Sequence, residues 1–267
     1  MAEAGKKQIV ICADDFGMNP AVDAGILHLA KLGRLNATSC LVEGPSFAAG
    51  AQALTQSGLQ LGLHLNFTES LQQAGLYLPV SSLIMHAWLR RLDAQAVARQ
   101  IARQLDAFES LLGRAPDFID GHQHIHQFPQ IRSALLDQVQ RRYAKNPPWL
   151  RCTQAAAMPG MSWSLQLKAW TIEALGARQF ARAAQRRGLP LNRRFLGVYD
   201  FQGGQPVYAA LLQQWFKHAR DGDVIMCHPA ADAYPTDGLG PQRVAEFQVL
   251  QSAVVGEWMQ QYGVVLS

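Results

Sequence analysis

The stretch Phe118-Ile119-Asp120-Gly121-His122-Gln123-His124-Ile125-His126 decides how this chain is read. Phe118-Ile119 has the apolar character of a buried strand end. After it, an aspartate and three histidines stand at every second position. In an extended chain, residues i, i+2 and i+4 face the same side. The spacing therefore predicts a strand running on through His126, with Asp120, His122, His124 and His126 converging on one spot. A helix would pair His122 with His126 and turn His124 away. Gly121 on one side and Pro129 on the other argue against a helix. The stretch reads as half of a metal site whose other half lies elsewhere in the chain.

Working outward, strands and helices alternate. Residues 8–13 form a continuous apolar run, as in a strand buried on both faces, and lead into Asp14-Asp15-Phe16-Gly17. Asn19-Pro20 reads as an N-cap followed by proline at the first helical position. Further strands are predicted over 38–42, 59–66, 149–151, 195–199, 223–228 and 264–266. Helices are predicted from 20 to about 32 and over 47–56, 94–112, 129–143, 206–220 and 242–262. Residues 161–187 read as a long helical segment broken near Gly176. Residues 67–93, with Gly75 and Pro79, show little pattern and read as a long loop over the substrate. Seven or eight strand-helix repeats imply a parallel sheet, either closed as a barrel or open and doubly wound. No GxGxxG follows the first strand, which leaves a dinucleotide fold without support.

The 267 residues suit one large α/β domain, and 49% hydrophobic with 16% charged residues suits a sizeable core. Cys12, Cys40, Cys152 and Cys227 are scattered, with no CxxC pair, which argues against a disulfide framework or a thiolate zinc site. Cys12, Cys40 and Cys227 lie in apolar runs and read as core residues of a protein in a reducing compartment. The N-terminal residues show no signal-peptide core, and no apolar run is long enough to span a bilayer. The net charge of +4 is mild, and its arginine pairs are dispersed. Without an aromatic-basic tract, nucleic acid is not an expected partner.

Asp14-Asp15, His64, the 122–126 array, Arg151, Tyr199-Asp200 and His228 all fall at or just after the C-terminal ends of predicted strands. In barrel enzymes that face carries the active site. Taken singly, each residue has a plainer explanation. Asp15 could cap a turn, His64 could be a hydrogen-bonded core histidine, and His228 before Pro229 could cap a helix. His28, His86 and His218 read as ordinary. Neighbouring strand residues point opposite ways, so Asp14 and Asp15 share a site only if the strand ends between them. A site of two histidines and one carboxylate with an open position suits a divalent metal, which acidifies a water and polarises a carbonyl. These parts fit amide or ester hydrolysis, with a base for the water and an acid for the leaving group.

Four motifs occur together and in order across nearly the whole chain. They are Ala13-Asp14-Asp15-Phe16-Gly17-Met18-Asn19, Gly62-Leu63-His64-Leu65-Asn66, Asp120-Gly121-His122-Gln123-His124-Ile125-His126 and Met226-Cys227-His228-Pro229. The combination resembles the YdjC-like carbohydrate deacetylases (the ChbG/HpnK family). Residues 195–205, Phe-Leu-Gly-Val-Tyr-Asp-Phe-Gln-Gly-Gly-Gln, are most similar to the hopanoid-biosynthesis-associated HpnK branch.

The resemblance implies a distorted TIM-like (β/α) barrel of the polysaccharide-deacetylase type, with seven or eight parallel strands in one catalytic domain over residues 1–267. It implies metal-dependent removal of the acetyl group from an N-acetylated sugar or glycolipid. Asp15, His64 and His122 would bind the metal. Asp14 would be the general base, and His228 the acid or oxyanion partner. His124 and His126, with Arg151, Tyr199 and Asp200, would support these groups or face substrate. The family's metals include zinc and magnesium, and two histidines with one carboxylate favour zinc or another transition ion.

A cytoplasmic location is expected, and the hopanoid branch would add a peripheral contact with the inner membrane. Trp163, Leu167, Trp170, Ala174 and Leu175 then read, with Lys168, Arg178, Arg182, Arg186 and Arg187, as a basic amphipathic helix on a membrane. The alternative is a core helix or a homo-oligomer contact. Other functions stay open. A glycoside hydrolase using Asp14 with Asp120 or Asp200 needs two carboxylates but no histidine array. A sugar- or metal-binding barrel needs no base. A histidinol-phosphatase-like phosphoesterase would carry HxH, not Asp-Asp, at its first strand.

Overall fold

The computed structural model describes residues 5–266. Strands β1 (Lys7–Phe16), β2 (Ala37–Cys40), β3 (Gln60–Leu65), β4 (Phe118–Gly121), β5 (Trp149–Leu150), β6 (Phe195–Leu196), β7 (Val224–Cys227) and β8 (Val264–Leu266) form one eight-stranded sheet. All pairings are parallel, in the order β5-β4-β3-β2-β1-β7-β6. The eighth strand, β8, joins the start of β1 at residues 7–9, and β7 takes over at residues 10–13. The sheet curls into a half-barrel. Its two edges touch through isolated parallel bridges, Leu150 with Leu191 and Ala155 with Phe195. This is the expected distorted barrel, with β1 at its centre.

The crossovers are helical: α1 (Pro20–Lys31), α2 (Phe47–Thr55), α3 (Val80–Trp88), α4 (Ala94–Leu112), α5 (Ile131–Arg142), α6 (Trp163–Ala174), α7 (Ala177–Gln185), α8 (Gly204–His218), α9 (Gly240–Gln251) and α10 (Ala253–Gln261). The start of α1 is fixed by Asn19, whose Oδ1 accepts from the N–H groups of Ala21 and Val22. Asp93 caps α4 in the same way. The apolar stripe Val97, Ile101, Leu105, Phe108 and Leu112 is buried against the sheet. Each such side chain contributes about 1.5–3 kcal/mol. On the same helix, buried Gln100 and Gln104 hydrogen-bond the backbone of Asn66, fixing the chain just beyond β3.

Several boundaries differ from those predicted. Residues 67–93 are not all loop: they contain α3, which buries Leu83 and Ala87, four residues apart on one face. The helix expected over 242–262 is two helices. Ser252, with ψ 146°, has an extended backbone that no α-helix can pass through. The break at Gly176 is present, with φ 134°. The core-helix alternative for this segment holds in part: no residue of α6 is fully buried and Trp163 is 75% exposed, but Ala169 and Ile172 pack against the core and α7 buries Ala177, Phe180, Ala181 and Ala184. The strand expected to run through His126 stops at Gly121, with consequences taken up below.

Candidate metal and catalytic centre

A cavity of about 990 Å³ opens at the C-terminal ends of the strands. Asp14 and Asp15 both line it, although β1 does not end between them. Ala13 pairs with Thr38, and Phe16 with Cys40, so β1 takes three steps where β2 takes two. Asp15 is the strained residue of this bulge, at φ 75°. A bulge re-aims the side chain that follows it, and here it brings two successive carboxylates into one cavity.

His64 sits next to the end of β3, in register with Asp120 on β4. Its Nδ1 lies 2.6 Å from Asp120 Oδ1, and its Nε2 lies 3.3 Å from Asp15 Oδ1. His122 brings Nδ1 to 3.0 Å from the same Asp15 oxygen. One carboxylate oxygen and two ring nitrogens thus gather at a single point from β1, β3 and the residue after β4. Behind the point, Ser39 Oγ lies 2.9 Å from Asp14 Oδ1 and 3.0 Å from His64 Nδ1.

The extended array is corrected by the structure. From His122 to Gln127 the chain turns as a 3₁₀ helix, in which Gln123 and His124 take φ 53° and 61°. The turn is tight: a Cβ on Gly121 would come within 3.0 Å of the His126 backbone nitrogen. Its three imidazoles go to three places. His122 faces Asp15, and His124 lines the cavity edge-on to Phe195. His126 is fully buried, donates from Nε2 to the Arg151 carbonyl oxygen at 2.8 Å, and packs edge-on to Phe180. Burial holds His126 down to about 4, so it is neutral at pH 7.

Two buried arginines hold the two aspartates. Arg151, fully buried, grips both Asp14 oxygens at 2.6 and 2.7 Å and lies 2.7 Å from Asp120. Burial alone would raise the Asp14 carboxyl; the Arg151 guanidinium and His64 hold it well below the usual range. Arg243 donates to Asp15 Oδ2 at 2.6 Å. Burial likewise opposes ionisation of Asp15, and Arg243 and His122 outweigh it. His64 loses basicity to burial but is pushed up to about 10 by Asp120. Buried ion pairs rarely repay their desolvation, so stability does not account for this concentration of charge, which makes the cavity the candidate site.

Of the other sequence candidates, His228 lines the cavity beside Phe201, with Nδ1 buried and unpartnered among the described residues. Burial holds it down to about 4. Tyr199 lines the cavity, and its hydroxyl donates to Glu246 at 2.5 Å. Asp200 is exposed and takes no part in the cavity wall.

Sequence reasoning missed Arg243, Glu246 and Glu69. Fully buried Glu246 accepts from Tyr199 and, at 2.6 Å, from the His228 backbone N–H, and so fixes the chain that carries His228. Glu69, half exposed, lies 3.5 Å from His122 Nε2, and Asn66 Oδ1 accepts from its N–H. Arg243 and Glu246 are three residues apart on α9, which offered a weak signal: two charges on a face shared with buried Phe247 and Leu250.

The donor set fits a divalent metal. Asp15, His64 and His122 each offer one ligand atom, all within 4.8 Å of one another. Asp120 on the far nitrogen of His64 is the carboxylate that commonly orients a metal-binding imidazole. A second cluster, Cys12, Asp14 and Asp120, is also close enough. It does not fit, because the Arg151 guanidinium occupies the space between its two carboxylates.

A curled parallel sheet with ionisable groups gathered at the C-terminal ends of its strands defines an α/β barrel with its polar centre on the face where barrel enzymes carry theirs. Among known proteins, the YdjC-like protein family matches residues 8–261, and the chain belongs to that family. It is 26% identical to the human carbohydrate deacetylase over 98% of this chain and 90% of that one. Its fold is similar to an Enterococcus faecalis protein named for cellobiose-phosphate cleavage, with TM-score 0.72, 23% identity and coverage of 98% and 97%. It is also similar to the Bc1960 peptidoglycan N-acetylglucosamine deacetylase, with TM-score 0.51, 12% identity and coverage of 98% and 87%.

Proposed function

We propose that this protein is a metal-dependent deacetylase of N-acetylated sugars. The observation that carries the proposal is the meeting of Asp15, His64 and His122 beside an ionised Asp14 in one cavity. The family and its carbohydrate deacetylase relative support the substrate class. Asp15, His64 and His122 would hold the ion. When bound, it supplies Lewis acidity, acidifying a water and polarising the amide carbonyl.

The remaining work falls to the chain's own groups. Asp14, kept ionised by Arg151, accepts the proton of the attacking water as general base. His228, neutral at pH 7, hydrogen-bonds the developing oxyanion or passes on to the departing amine the proton that Asp14 took from the water, with its backbone held by Glu246. His124 faces the substrate from the cavity wall, while Tyr199, fully buried, holds Glu246 behind it and His126 and Arg151 support the floor. Two imidazoles with one carboxylate favour zinc over magnesium. A glycoside hydrolase is less well served, because Asp120 is closed off by Arg151 and His64, and Asp200 faces solvent.

The hopanoid-linked substrate is the finer part of the proposal. Lys168 and Ile172 of α6 line the cavity, while Trp163, Leu167 and Trp170 of the same helix are exposed. A sugar on an apolar carrier could lie across that helix, with the protein at a membrane surface. No helix among the described residues is long and apolar enough to cross a membrane.

The test is acetate release from a panel of N-acetylglucosamine conjugates, both soluble and lipid-linked, with zinc, magnesium or chelator. Release that needs a metal is expected. Release that survives chelation, or none from any conjugate, sinks the proposal.

A further inference from the structure

Arg243 has no place in the reaction described above, yet it is 3% exposed and reaches both the metal site and the cavity rim. Its Nη2 donates to Asp15 Oδ2 at 2.6 Å. The other Asp15 oxygen, Oδ1, is the one facing His64 and His122. A carboxylate free on both sides can swing or chelate through both oxygens. One with an oxygen tied to a guanidinium presents only the other. On its far side, Arg243 Nε makes a 2.8 Å charge contact with Asp237 Oδ2. Asp237 belongs to the rim, where its Oδ1 accepts from the Leu239 N–H and its own N–H donates to the Tyr234 carbonyl oxygen. Tyr234, Asp237 and Leu239 all line the cavity. A single side chain from α9 therefore joins the aspartate of β1 to the rim.

We infer that Arg243 is a positioning residue that restricts Asp15 to one ligating oxygen and couples its orientation to the rim segment through Asp237. This rests on the proposed metal site. Simple electrostatics predicts the opposite effect on affinity, since a cation beside a metal ligand repels a second cation. The sign of the change on removing Arg243 therefore separates positioning from charge balance.

The experiment is zinc titration by calorimetry into the metal-free protein and its variants. Arg243→Met is expected to weaken binding by about 10–100-fold, the usual cost of losing a group that orients a ligand. Asp237→Asn should weaken it in the same direction by less, and Arg243→Lys should restore part of the loss. Cobalt(II) loading gives a readout that a merely structural role would not move. Freed Asp15 changes the coordination number, and with it the intensity of the visible bands. Binding by Arg243→Met as tight as wild type, or tighter, overturns the inference. If that variant does not fold, Asp237→Asn decides, and unchanged affinity and spectrum there overturn it as well. Failure of the wild-type chain to bind zinc or cobalt would instead overturn the metal site itself.

Discussion

The ends of β1 and β4 treat their polar residues in opposite ways. At the end of β1, two neighbouring aspartates that a regular strand would send to opposite faces reach one cavity. At the end of β4, three histidines that a regular strand would send to one face separate among the Asp15 carboxylate, the cavity wall and the interior. Both outcomes come from left-handed backbone at non-glycine residues, Asp15 in the first case and Gln123 with His124 in the second. Such backbone costs of order 1–3 kcal/mol per residue and persists where the surroundings fix it. Here the surroundings are the arginine clamps on the acids and the close packing of Gly121 against His126. Strain that re-aims side chains at both strand ends gives each acid and each histidine its own surroundings.

The largest expected effect tests the acid pair. Asp14→Asn and Asp15→Asn should both cost about 10³-fold or more in turnover, the scale of a lost general base or metal. Metal titration separates them: the Asp14 variant keeps its zinc and the Asp15 variant loses it. Loss of metal from both would mean that the bulge does not divide their roles. Next comes the histidine trio. His122→Ala should lower metal affinity by at least about 100-fold. His126→Ala should retain the metal but lose about 1–3 kcal/mol of folding stability, because the Arg151 carbonyl is left unpaired and a gap opens beside Phe180. Equal metal loss from the two would restore the convergent array.

The last test is a pH dependence at the end of β7. Burial pushes the Glu246 carboxyl from 4.5 up to about 7. The folded chain then keeps a proton that the unfolded chain releases. The stabilising contribution is complete below about pH 4.5 and is lost as pH rises through about 7. Between these limits the swing is on the order of 3 kcal/mol. Urea unfolding of wild type and Glu246→Gln at pH 4.5 and pH 8 measures it. The variant should lose less stability across that range, and parallel losses would place the proton elsewhere.

Much of this was legible in the sequence, for local reasons. Apolar runs of six residues between capped helices announce a parallel sheet, because burial on both faces leaves no room for alternation. Ionisable residues directly after such runs fall on the face where the strands end. Hence Asp14, Asp15, His64, His122 and His228 could be named before any coordinates were known, and the cavity holds all five. The direction in which a side chain points was not legible. Regular spacing assumes regular backbone, and at the ends of β1 and β4 the backbone is not regular. The partner of Asp15 was hidden too, since Arg243 lies 228 positions away along the chain. The sequence by itself determined which groups gather at the strand ends, because strand periodicity and hydrophobic burial act locally. Only the tertiary structure decided which of them share a point in space, because strained turns and ion pairs distant in sequence form only when the sheet is closed around them.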